Sequence, residues 1–341
     1  MTTIVTGAAG FIGFHVCQAL LARGEEVVGV DCLNAYYDVR LKRARLDVLQ
    51  AIPGFRFELA DVADRDMVTA VFDRAADATR IVHLAAQAGV RHSLVDPYAY
   101  VTANVLGHVT VLEAARRLRR LDHLVYASSS SVYGGNTKLP FAEDDPVNTP
   151  VSVYAATKRA DELISHAYGH LYGLPQTGLR FFTVYGPWGR PDMAYYSFAV
   201  AIMRGVPITL FDGGRLRRDF TYIDDIVHGV LACLDRPPDP AAPAPVFNIG
   251  NNRGELVSDL VVLLESSLGR RAVTVSVDRP VADVAETLAD LTAIERHVGY
   301  RPTTPLAQGV PRFAAWFRQH HAADGNFPLD PVPSSSYLPD H

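Results

Sequence analysis

A glycine-rich turn near the start of the chain restricts the fold more than any other feature of the sequence. The apolar run Thr2–Thr6 predicts a buried strand, and an apolar helix pattern covers Phe11–Arg23. Between them stand Gly7, Gly10 and Gly13 with the spacing GxxGxxG. The first glycine allows a tight turn, the second lets a pyrophosphate approach the backbone, and the third lets the helix pack closely on the strand. Ligand-free turns use glycine too, but the position after the first strand favours a dinucleotide site at the helix N-terminus.

Strand and helix patterns alternate over about the first 180 residues. Further strands are predicted at Glu26–Asp31, Phe55–Leu59, Arg80–Leu84, Asp122–Ala127 and Gln176–Phe181. Helices are predicted at Tyr36–Ala51, Arg65–Ala75, Pro97–Arg120 and Val151–Tyr172. This alternation is typical of βαβ units, which build a parallel sheet with helices on both faces. We therefore expect an α/β protein with a doubly wound, Rossmann-type sheet.

The pattern changes after about residue 185, where elements become shorter and glycine, proline and aspartate interrupt them. The segment 237–245 is too rich in proline for a helix or strand and predicts an exposed loop. We expect a first domain at 1–185, a smaller C-terminal α/β lobe at 186–325 and an extended tail at 326–341. Part of the smaller lobe is expected to return to the first domain. The lobe should cap the carboxyl ends of the parallel strands, where such sheets bind ligands.

Charge and cysteine content exclude several other classes of protein. The formal net charge of −5 leaves no basic footprint for nucleic acid. Apolar stretches end before the roughly 18 residues that a membrane span needs, and no basic leader fits before the first strand. Cys17, Cys32 and Cys233 are isolated and lack metal-ligand spacing. We therefore expect a cytoplasmic protein without a membrane span, a nucleic-acid partner, disulfides or a metal site.

The second predicted strand ends at Asp31, 18 residues after Gly13. A carboxylate there can accept hydrogen bonds from both ribose hydroxyls of NAD and would repel the 2′-phosphate of NADP. Basic residues follow at 40–43, and we expect most of them to form a solvated helix face. The sequence thus favours NAD. Asp61 and Val62, after the third strand, are placed for an adenine edge, with a helix N-cap region as the alternative for Asp61.

Tyr154 and Lys158 stand four residues apart near the start of a predicted helix, and so share one face. A phenol with a pKa of about 10 is a poor base at neutral pH. A nearby ammonium group and the positive nicotinamide of NAD both favour the phenolate and lower that pKa. Four serines, Ser128–Ser131, directly follow a predicted strand and place hydroxyls at the carboxyl edge of the sheet. A surface ion pair and a serine-rich loop are the alternatives, but the two motifs together favour a catalytic site.

Several segments resemble the extended short-chain dehydrogenase/reductase family that acts on nucleotide sugars. They are TGAAGFIG, HLAAQAGVR, YASSSSVYG, YAATK, RFFTVYGP and RDFTYIDDI, which lie between residue 3 and about residue 226. ADVAETLADL and GYRPTTPLAQGV extend the likeness to about residue 312. DCLNAYYDVRLKRARL and FFTVYGPWGRPDMA resemble, more finely, the UDP-glucuronate 4-epimerases of that family.

The resemblance implies a role for each matching residue. Tyr154 is the expected base, Lys158 its partner, and Ser129 the residue at the family's Ser/Thr position. Arg218 matches the arginine that grips the nucleotide diphosphate, whereas Arg279 lies in a stretch, RPVAD, that departs from the family pattern. Cys32 stands where many relatives carry asparagine, which removes one possible cofactor contact. Around NAD the resemblance places Gly7, Gly10, Phe11, Ile12, Gly13, Asp31, Asn34, Lys42, Asp61, Val62, Leu84, Ala85, Ala86 and Asn104, together with Tyr154 and Lys158.

A carboxylate on the sugar needs its own pocket. We expect hydroxyl donors to hold it, because they bind either sugar face without fixing the charge as a bidentate arginine would. Arg190, in a turn bounded by Pro191, should shape the pocket, with a solvated loop arginine as the alternative. The expected residues are Ser129, Ser130, Ser131, Thr183 and Arg190, with Arg91 on a neighbouring loop.

The resemblance implies a reversible C4 epimerisation of UDP-glucuronate to UDP-galacturonate through a 4-keto intermediate, with NAD kept bound. The enzyme alternatives are a UDP-glucose 4-epimerase, a UDP-glucuronate decarboxylase and a 4,6-dehydratase, whose Asp-Glu pair is replaced here by Ser130 and Ser131. An NAD-binding scaffold or redox sensor is the alternative without turnover.

We also expect a homodimer through the helices Pro97–Arg120 and Val151–Tyr172. The apolar residues compatible with this contact are Val105, Val109, Leu112, Leu163 and Ala167, with intramolecular core as the alternative for several of them.

Overall fold

The computed structural model describes residues 1–279 and 284–322, so the predicted tail at 326–341 lies outside the described residues. The described strands are β1 (Thr2–Thr6), β2 (Glu26–Asp31), β3 (Phe55–Leu59), β4 (Arg80–His83), β5 (His123–Ser129), β6 (Gln176–Phe181), β7 (Thr183–Tyr185), β8 (Pro207–Phe211), β9 (Arg217–Tyr222), β10 (Val246–Ile249), β11 (Gly254–Leu256) and β12 (Val273–Val277). The described α-helices are α1 (Phe11–Ala22), α2 (Val39–Gln50), α3 (Arg65–Arg74), α4 (Pro97–Tyr100), α5 (Gly107–Ala115), α6 (Val153–Tyr172), α7 (Ala194–Arg204), α8 (Ile223–Leu234), α9 (Val257–Leu268), α10 (Thr292–Val298) and α11 (Leu306–Ala322).

Seven strands form the central sheet in the order β10-β6-β5-β4-β1-β2-β3. Every neighbouring pair in this sheet is parallel. Strands such as β1 and β6 are buried throughout, as expected when helices cover both faces of a parallel sheet. Two clusters of buried apolar side chains form the core. The doubly wound α/β sheet predicted from the sequence is therefore confirmed.

The second half of the chain adds two small sheets. One has the order β11-β9-β7, and the other pairs β12 with β8. Only Phe182 separates β7 from β6, so the three-stranded sheet begins at the carboxyl end of the central sheet. β10 returns to the central sheet and pairs with β6. Strand ends and loops from both halves of the chain are thereby brought together.

Two predicted helices differ from the structure. The helix predicted at Tyr36–Ala51 begins only at Val39, because the Asp38 carboxylate caps it by accepting the backbone N–H of Arg40 over 2.9 Å. The helix predicted at Pro97–Arg120 is not continuous. A π-helical turn, Val101–Leu106, joins α4 to α5, and α5 ends at Ala115. Four arginines in the segment 116–120 leave this stretch without an apolar face to bury.

None of the helices within the described ranges is both long and apolar enough to cross a lipid bilayer. The same part of the chain contains no group of three or more histidine, cysteine, aspartate or glutamate side chains placed to bind a metal ion.

Candidate active site

The glycine turn packs too closely for side chains. Gly7 has φ +73°, and a Cβ there would lie 2.8 Å from the backbone nitrogen of Ala85. A Cβ on Gly13 would overlap the carbonyl oxygen of Gly7, and one on Gly10 would lie 2.9 Å from the same oxygen. The backbone N–H of Gly7 donates to Val30 O over 2.7 Å, which ties the turn to the end of β2. The turn is thus a fixed cradle in front of Phe11 and Ile12, the first residues of α1.

The Asp31 carboxylate is buried at the end of β2, against this turn. Its Oδ2 accepts the backbone N–H of Ala9 over 3.1 Å, and its Oδ1 accepts that of Leu33 over 2.8 Å. These bonds fix the carboxylate between the glycine turn and the loop after β2. This is the position in which a dinucleotide-binding sheet presents an acidic residue to a ribose.

Lys42 is buried, and not part of the solvated helix face expected for residues 40–43. Its Nζ donates to the carbonyl oxygen of Asn34 over 2.9 Å and to Asn34 Oδ1 over 2.6 Å. Burial lowers the pKa of Lys42, although the nearby Asp31 carboxylate acts in the opposite direction. Lys42 therefore holds the loop after β2, and with it Asn34, next to Asp31.

The remaining predicted cofactor residues follow β3 and β4. Asp61 does not cap α3, since Asp64 does so; instead its Oδ1 accepts the backbone N–H of Ala63 over 2.9 Å. Val62 packs against Gly107, where a Cβ would lie 2.8 Å from a methyl group of Val62. Leu84, Ala85 and Ala86 continue from the end of β4, beside the glycine turn.

Asn104 is buried in the π-helical turn and joins three elements. Its Oδ1 accepts the backbone N–H of Gln87 over 2.7 Å, while its Nδ2 donates to Gln87 O over 3.1 Å and to Thr157 Oγ1 over 3.0 Å. Thr157 lies beside Lys158 on α6. The wider π turn therefore fixes the loop after β4 against the helix that carries the Tyr-Lys pair.

The predicted catalytic pair lies on the first turns of α6. Ser152 caps this helix, its Oγ accepting the backbone N–H of Ala155 over 3.1 Å. Tyr154 is half-buried, and its ring makes an edge contact with Tyr100 at a centroid distance of 6.0 Å. Lys158 is buried, and its Nζ donates to the carbonyl oxygen of Ala127 over 3.1 Å. Lys158 thus bridges α6 and β5, the strand that carries Ser129.

A carboxylate that the sequence analysis did not single out lies beside Lys158. Asp161 Oδ2 accepts a hydrogen bond from Lys158 Nζ over 3.0 Å, and both side chains are buried. Burial raises the pKa of Asp161 to about 6, although Lys158 acts in the opposite direction. Asp161 follows Lys158 by three residues on one helix, so both side chains lie on the same face, and the sequence alone could have revealed this pair.

The four serines have different surroundings. Ser128 Oγ donates to Glu162 Oε1 over 2.6 Å, and Glu162 also pairs with Arg180, so this hydroxyl serves the buried core. Ser129 ends β5, and its Oγ accepts the backbone N–H of Ser131 over 3.2 Å. Ser130 and Ser131 begin a 3₁₀ turn and are half-buried. The hydroxyls of residues 129–131 are therefore the ones placed at the carboxyl edge.

Arg190 is fixed by a carboxylate and is not the solvated loop arginine considered as the alternative. Its side chain is 22% exposed, and its Nε and Nη2 donate to the two oxygens of Asp192 over 3.1 and 2.7 Å. Burial alone would lower the pKa of Arg190, but Asp192 outweighs it and the pKa lies above its ordinary value. Tyr154 is among the smaller influences that raise the pKa of Arg190. Thr183 begins β7, two residues after the end of β6.

A second residue that the sequence analysis missed connects this loop to the glycine turn. Arg45 is 0% exposed, and its Nη1 donates to the carbonyl oxygen of Ala9 over 2.8 Å. Its Nη2 donates to Trp188 O over 2.6 Å and to Gly189 O over 3.1 Å. Arg45 lies four residues after Leu41 on the apolar face of α2, a position at which an arginine signals a buried partner.

The other three predicted arginines lie on or against the two small sheets. The Arg91 guanidinium stacks over the Phe211 ring at 5.0 Å, which links the loop after β4 to β8. Arg218 Nη1 donates to Ala285 O over 3.2 Å. The backbone N–H of Arg279 donates to Asp212 Oδ1 over 3.1 Å. Arg218 thus lies on β9 and Arg279 just after β12, whereas Arg91 lies in the loop after β4 and contacts β8.

Asp219, next to Arg218, binds several backbone segments around β9. Its buried carboxylate accepts backbone N–H groups from Asn251 over 2.6 Å, Asn252 over 2.9 Å and Ala289 over 3.0 Å. Burial raises the pKa of Asp219 to about 6, although these hydrogen bonds act in the opposite direction. Asp219 therefore fixes β9 and Arg218 against two further segments of the chain.

Known proteins share both this sequence and this fold. UDP-glucuronate 4-epimerase 4 of Arabidopsis thaliana is 46% identical over 337 residues, which cover 95% of this chain and 77% of that protein. The probable UDP-glucuronate 4-epimerase of Rhizobium meliloti is 43% identical over 339 residues, covering 94% of this chain and 98% of that protein. The crystal structure of UDP-glucuronic acid 4-epimerase from Bacillus cereus, in complex with UDP-glucuronic acid and NAD, superposes with a TM-score of 0.87 at 34% identity over 94% of this chain and 100% of that one.

The family resemblance seen in the sequence motifs is confirmed by a family model. The model of the NAD dependent epimerase/dehydratase family matches residues 3–250, a range that includes the glycine turn, Asp31, the Tyr-Lys pair and Arg190. The family is NAD dependent, which agrees with the preference for NAD expected from Asp31. The chain belongs to the NAD dependent epimerase/dehydratase family.

Proposed function

We propose that this protein interconverts UDP-glucuronate and UDP-galacturonate by epimerisation at C4, with NAD kept bound. The observation that carries the proposal is the Tyr-Lys pair on α6, where the Nζ of buried Lys158 is bound to the carbonyl oxygen of Ala127 on β5, the strand that ends at the serine hydroxyls. The relatives named as UDP-glucuronate 4-epimerases, and the Bacillus cereus enzyme solved with UDP-glucuronic acid and NAD, support the same activity.

The cradle fits a dinucleotide. Side chains at Gly7 and Gly13 would collide with the backbone of Ala85 and of Gly7, so glycine is what permits the tight turn before α1, and Asp31 offers carboxylate oxygens beside it. When bound, NAD supplies the oxidation of C4 and its later reduction. The residues proposed to hold it are Gly7, Gly10, Phe11, Ile12, Gly13, Asp31, Asn34, Lys42, Asp61, Val62, Leu84, Ala85, Ala86, Asn104, Tyr154 and Lys158.

In the proposed mechanism, Tyr154 removes the proton of the C4 hydroxyl and later returns it. Lys158, held by Ala127 and Asp161, keeps a positive charge near the phenol and so favours the phenolate. The Ser129 hydroxyl, at the end of β5, bridges Tyr154 and the sugar hydroxyl. Between the two steps the 4-keto sugar turns about its diphosphate linkage.

The substrate needs a grip that is separate from the reacting carbon. We propose that Arg218 and Arg279 hold the diphosphate, with the smaller lobe at 186–325 carrying the nucleotide and the domain at 1–185 carrying the chemistry. Ser129, Ser130, Ser131, Thr183 and Arg190 then contact the carboxylate, with Arg91 nearby. Such a division leaves the sugar free to turn while the nucleotide stays in place.

We also propose a homodimer through the helices α4, α5 and α6. Tyr98 is 82% exposed and Leu163 is 54% exposed, which supports an apolar surface on these helices. Leu112 is not part of this surface, because it is fully buried in the core. Light scattering at micromolar concentration should give the mass of a dimer, and a monomer mass would contradict the proposal.

Free thiols at Cys17, Cys32 and Cys233 support the further proposal of a cytoplasmic location.

Product analysis tests the function directly. The purified protein should contain NAD and convert UDP-glucuronate to UDP-galacturonate, as followed by NMR of the sugar C4 proton. A UDP-pentose as main product would indicate a decarboxylase instead. Epimerisation of UDP-glucose with no action on UDP-glucuronate would indicate a UDP-glucose 4-epimerase.

A further inference from the structure

The ion pair between Arg190 and Asp192 uses one whole edge of the guanidinium group. Nε donates to Asp192 Oδ1 over 3.1 Å, and Nη2 donates to Asp192 Oδ2 over 2.7 Å. Two parallel N–H groups of this kind are what an arginine offers a carboxylate in a bidentate pair. Among the described residues, the Nη1 group of Arg190 makes no hydrogen bond and is available for a ligand.

Asp192 is itself held from a second side. The Tyr36 hydroxyl donates to Asp192 Oδ2 over 3.2 Å. Tyr36 reaches this position by passing Gly89, whose φ is +103° and where a Cβ would overlap the Tyr36 oxygen. The His92 ring contacts the Tyr36 ring at a centroid distance of 5.0 Å. The Asp192 carboxylate therefore has a second partner that does not depend on Arg190.

The loop that carries this pair is fixed as well. Arg45 binds the carbonyl oxygens of Trp188 and Gly189, immediately before Arg190. A Cβ on Gly189 would overlap the Tyr195 hydroxyl oxygen, so the loop packs directly on α7. The loop therefore holds the backbone next to Arg190 in a set position.

We propose that Asp192 is a specificity-determining positioning residue, which occupies the Nε–Nη2 edge of Arg190 and limits that arginine to contacting the substrate carboxylate through Nη1. This inference rests on the proposed function. A 4-epimerase needs such a limit because the carboxylate moves with the sugar when the 4-keto intermediate rotates to present its other face. A bidentate pair between Arg190 and the substrate would stabilise one orientation of the sugar and would slow the turn. Binding energy of that kind strengthens the ground state without helping the transition state.

The substitution Asp192→Asn tests the proposal, because it keeps the size of the side chain and removes the charge. Binding is measured by calorimetry in a Tyr154→Phe background, which prevents turnover. UDP-glucuronate should bind at least about fivefold more tightly after the substitution, whereas UDP, which has no carboxylate, should change less than about twofold. With Tyr154 intact, both kcat and KM for UDP-glucuronate should fall, kcat by about tenfold.

Matched variants complete the test. Asp192→Glu keeps the charge and should restore most of kcat, while Tyr36→Phe removes one contact to Asp192 and should shift binding and kcat in the same direction by less. If Asp192→Asn does not fold, Tyr36→Phe carries the test alone. Glu295→Gln, which breaks an exposed pair with Arg301, should leave both quantities unchanged.

Three results would overturn the proposal. They are an unchanged or weaker affinity for UDP-glucuronate, equal gains for UDP-glucuronate and UDP, and a kcat within twofold of the unsubstituted protein. Failure of the proposed function would look different, since the unsubstituted protein itself would then form no UDP-galacturonate.

Discussion

The ammonium group of Lys158 lies 3.0 Å from the carboxylate of Asp161, and both side chains are almost completely buried. Lys158 also donates to the carbonyl oxygen of Ala127. These two acceptors fix the position of the ammonium group between α6 and β5. The contacts thus hold the Lys158 side chain on the helix that carries Tyr154.

Asp161→Asn should therefore reduce turnover. The amide takes the charge away from one of the two acceptors that hold the Lys158 ammonium group, so this group is held less firmly. We expect a kcat reduced by about tenfold or more, with the pH at which kcat is half-maximal also shifted. A pH profile of kcat measures these effects, and an unchanged profile would contradict this role of the pair.

Tyr154→Phe should leave NAD bound and lower turnover strongly. The substitution removes the hydroxyl proposed as the base, and general-base catalysis typically contributes about 10²–10⁴-fold. The absorbance spectrum and the dinucleotide released on denaturation report whether NAD is retained. Near-normal epimerisation by this variant would refute the assignment of Tyr154.

Asp31→Asn should weaken the retention of NAD. The Asp31 carboxylate accepts two backbone N–H groups, and an amide oxygen can replace only part of that acceptor capacity beside a ribose. Hydrogen bonds to charged groups are worth about 1.5–3 kcal/mol, so NAD should dissociate about tenfold or more readily. Gel filtration followed by analysis of bound dinucleotide measures the loss. Finding mainly NADP in the unsubstituted protein would contradict the role of Asp31.

The sequence predicts the sheet and the inner site because both depend on local patterns. Asp31 follows a strand and Lys158 follows Tyr154 by one helical turn, so chain position alone brings these residues to the carboxyl edge. The roles of Arg45 and Asp192 depend instead on contacts with distant parts of the chain. Arg45 bonds the carbonyl oxygen of Trp188, and Asp192 accepts a hydrogen bond from Tyr36, in each case across more than 140 residues. No local pattern specifies such contacts.

The predicted dimer surface shows the same limit. Leu112 and Leu163 both fit helical apolar spacing, yet Leu112 is buried in the core and Leu163 is exposed. Hydrophobicity at a given spacing indicates a face of a helix, but the neighbouring elements decide whether that face lies inside the fold.

Stability should fall as the pH decreases from about 6.5 to about 4. Burial lowers the pKa of His15 and His123 to about 4 and that of His83 to about 3, from 6.5. A histidine that resists protonation in the folded state loses its stabilising contribution as the pH falls from its unfolded pKa through its folded pKa. Asp161 and Asp219, whose pKa values burial raises to about 6, act in the opposite direction. The pKa shifts of the three histidines are together larger than those of the two carboxyl groups, so the free energy of unfolding should decrease as the pH falls.

Urea unfolding between about pH 7 and pH 4 measures this dependence. His123→Gln offers a matched test, because glutamine can still bond the groups that His123 contacts, Leu234 O and Thr177 Oγ1, without titrating. The variant should show a smaller decrease in the free energy of unfolding over the same range. A decrease of the same size in both proteins would assign the pH dependence to other groups.

Thr183→Val should raise the proportion of decarboxylated product. The 4-keto derivative of UDP-glucuronate is a β-keto acid, which loses CO2 when the bond to its carboxylate aligns with the carbonyl π system. In the proposed function, the Thr183 hydroxyl at the start of β7 is one of the donors that hold the carboxylate near the ring plane, where that alignment is poor. Valine keeps the shape of threonine and removes the donor, so the backbone of β7 and its pairing with β9 should be unaffected. We expect slower epimerisation and a larger UDP-pentose fraction by NMR. Arg190→Ala should have the same effect to a greater degree, since it also removes a charge. Unchanged rates without UDP-pentose in both variants would place carboxylate recognition elsewhere in the site.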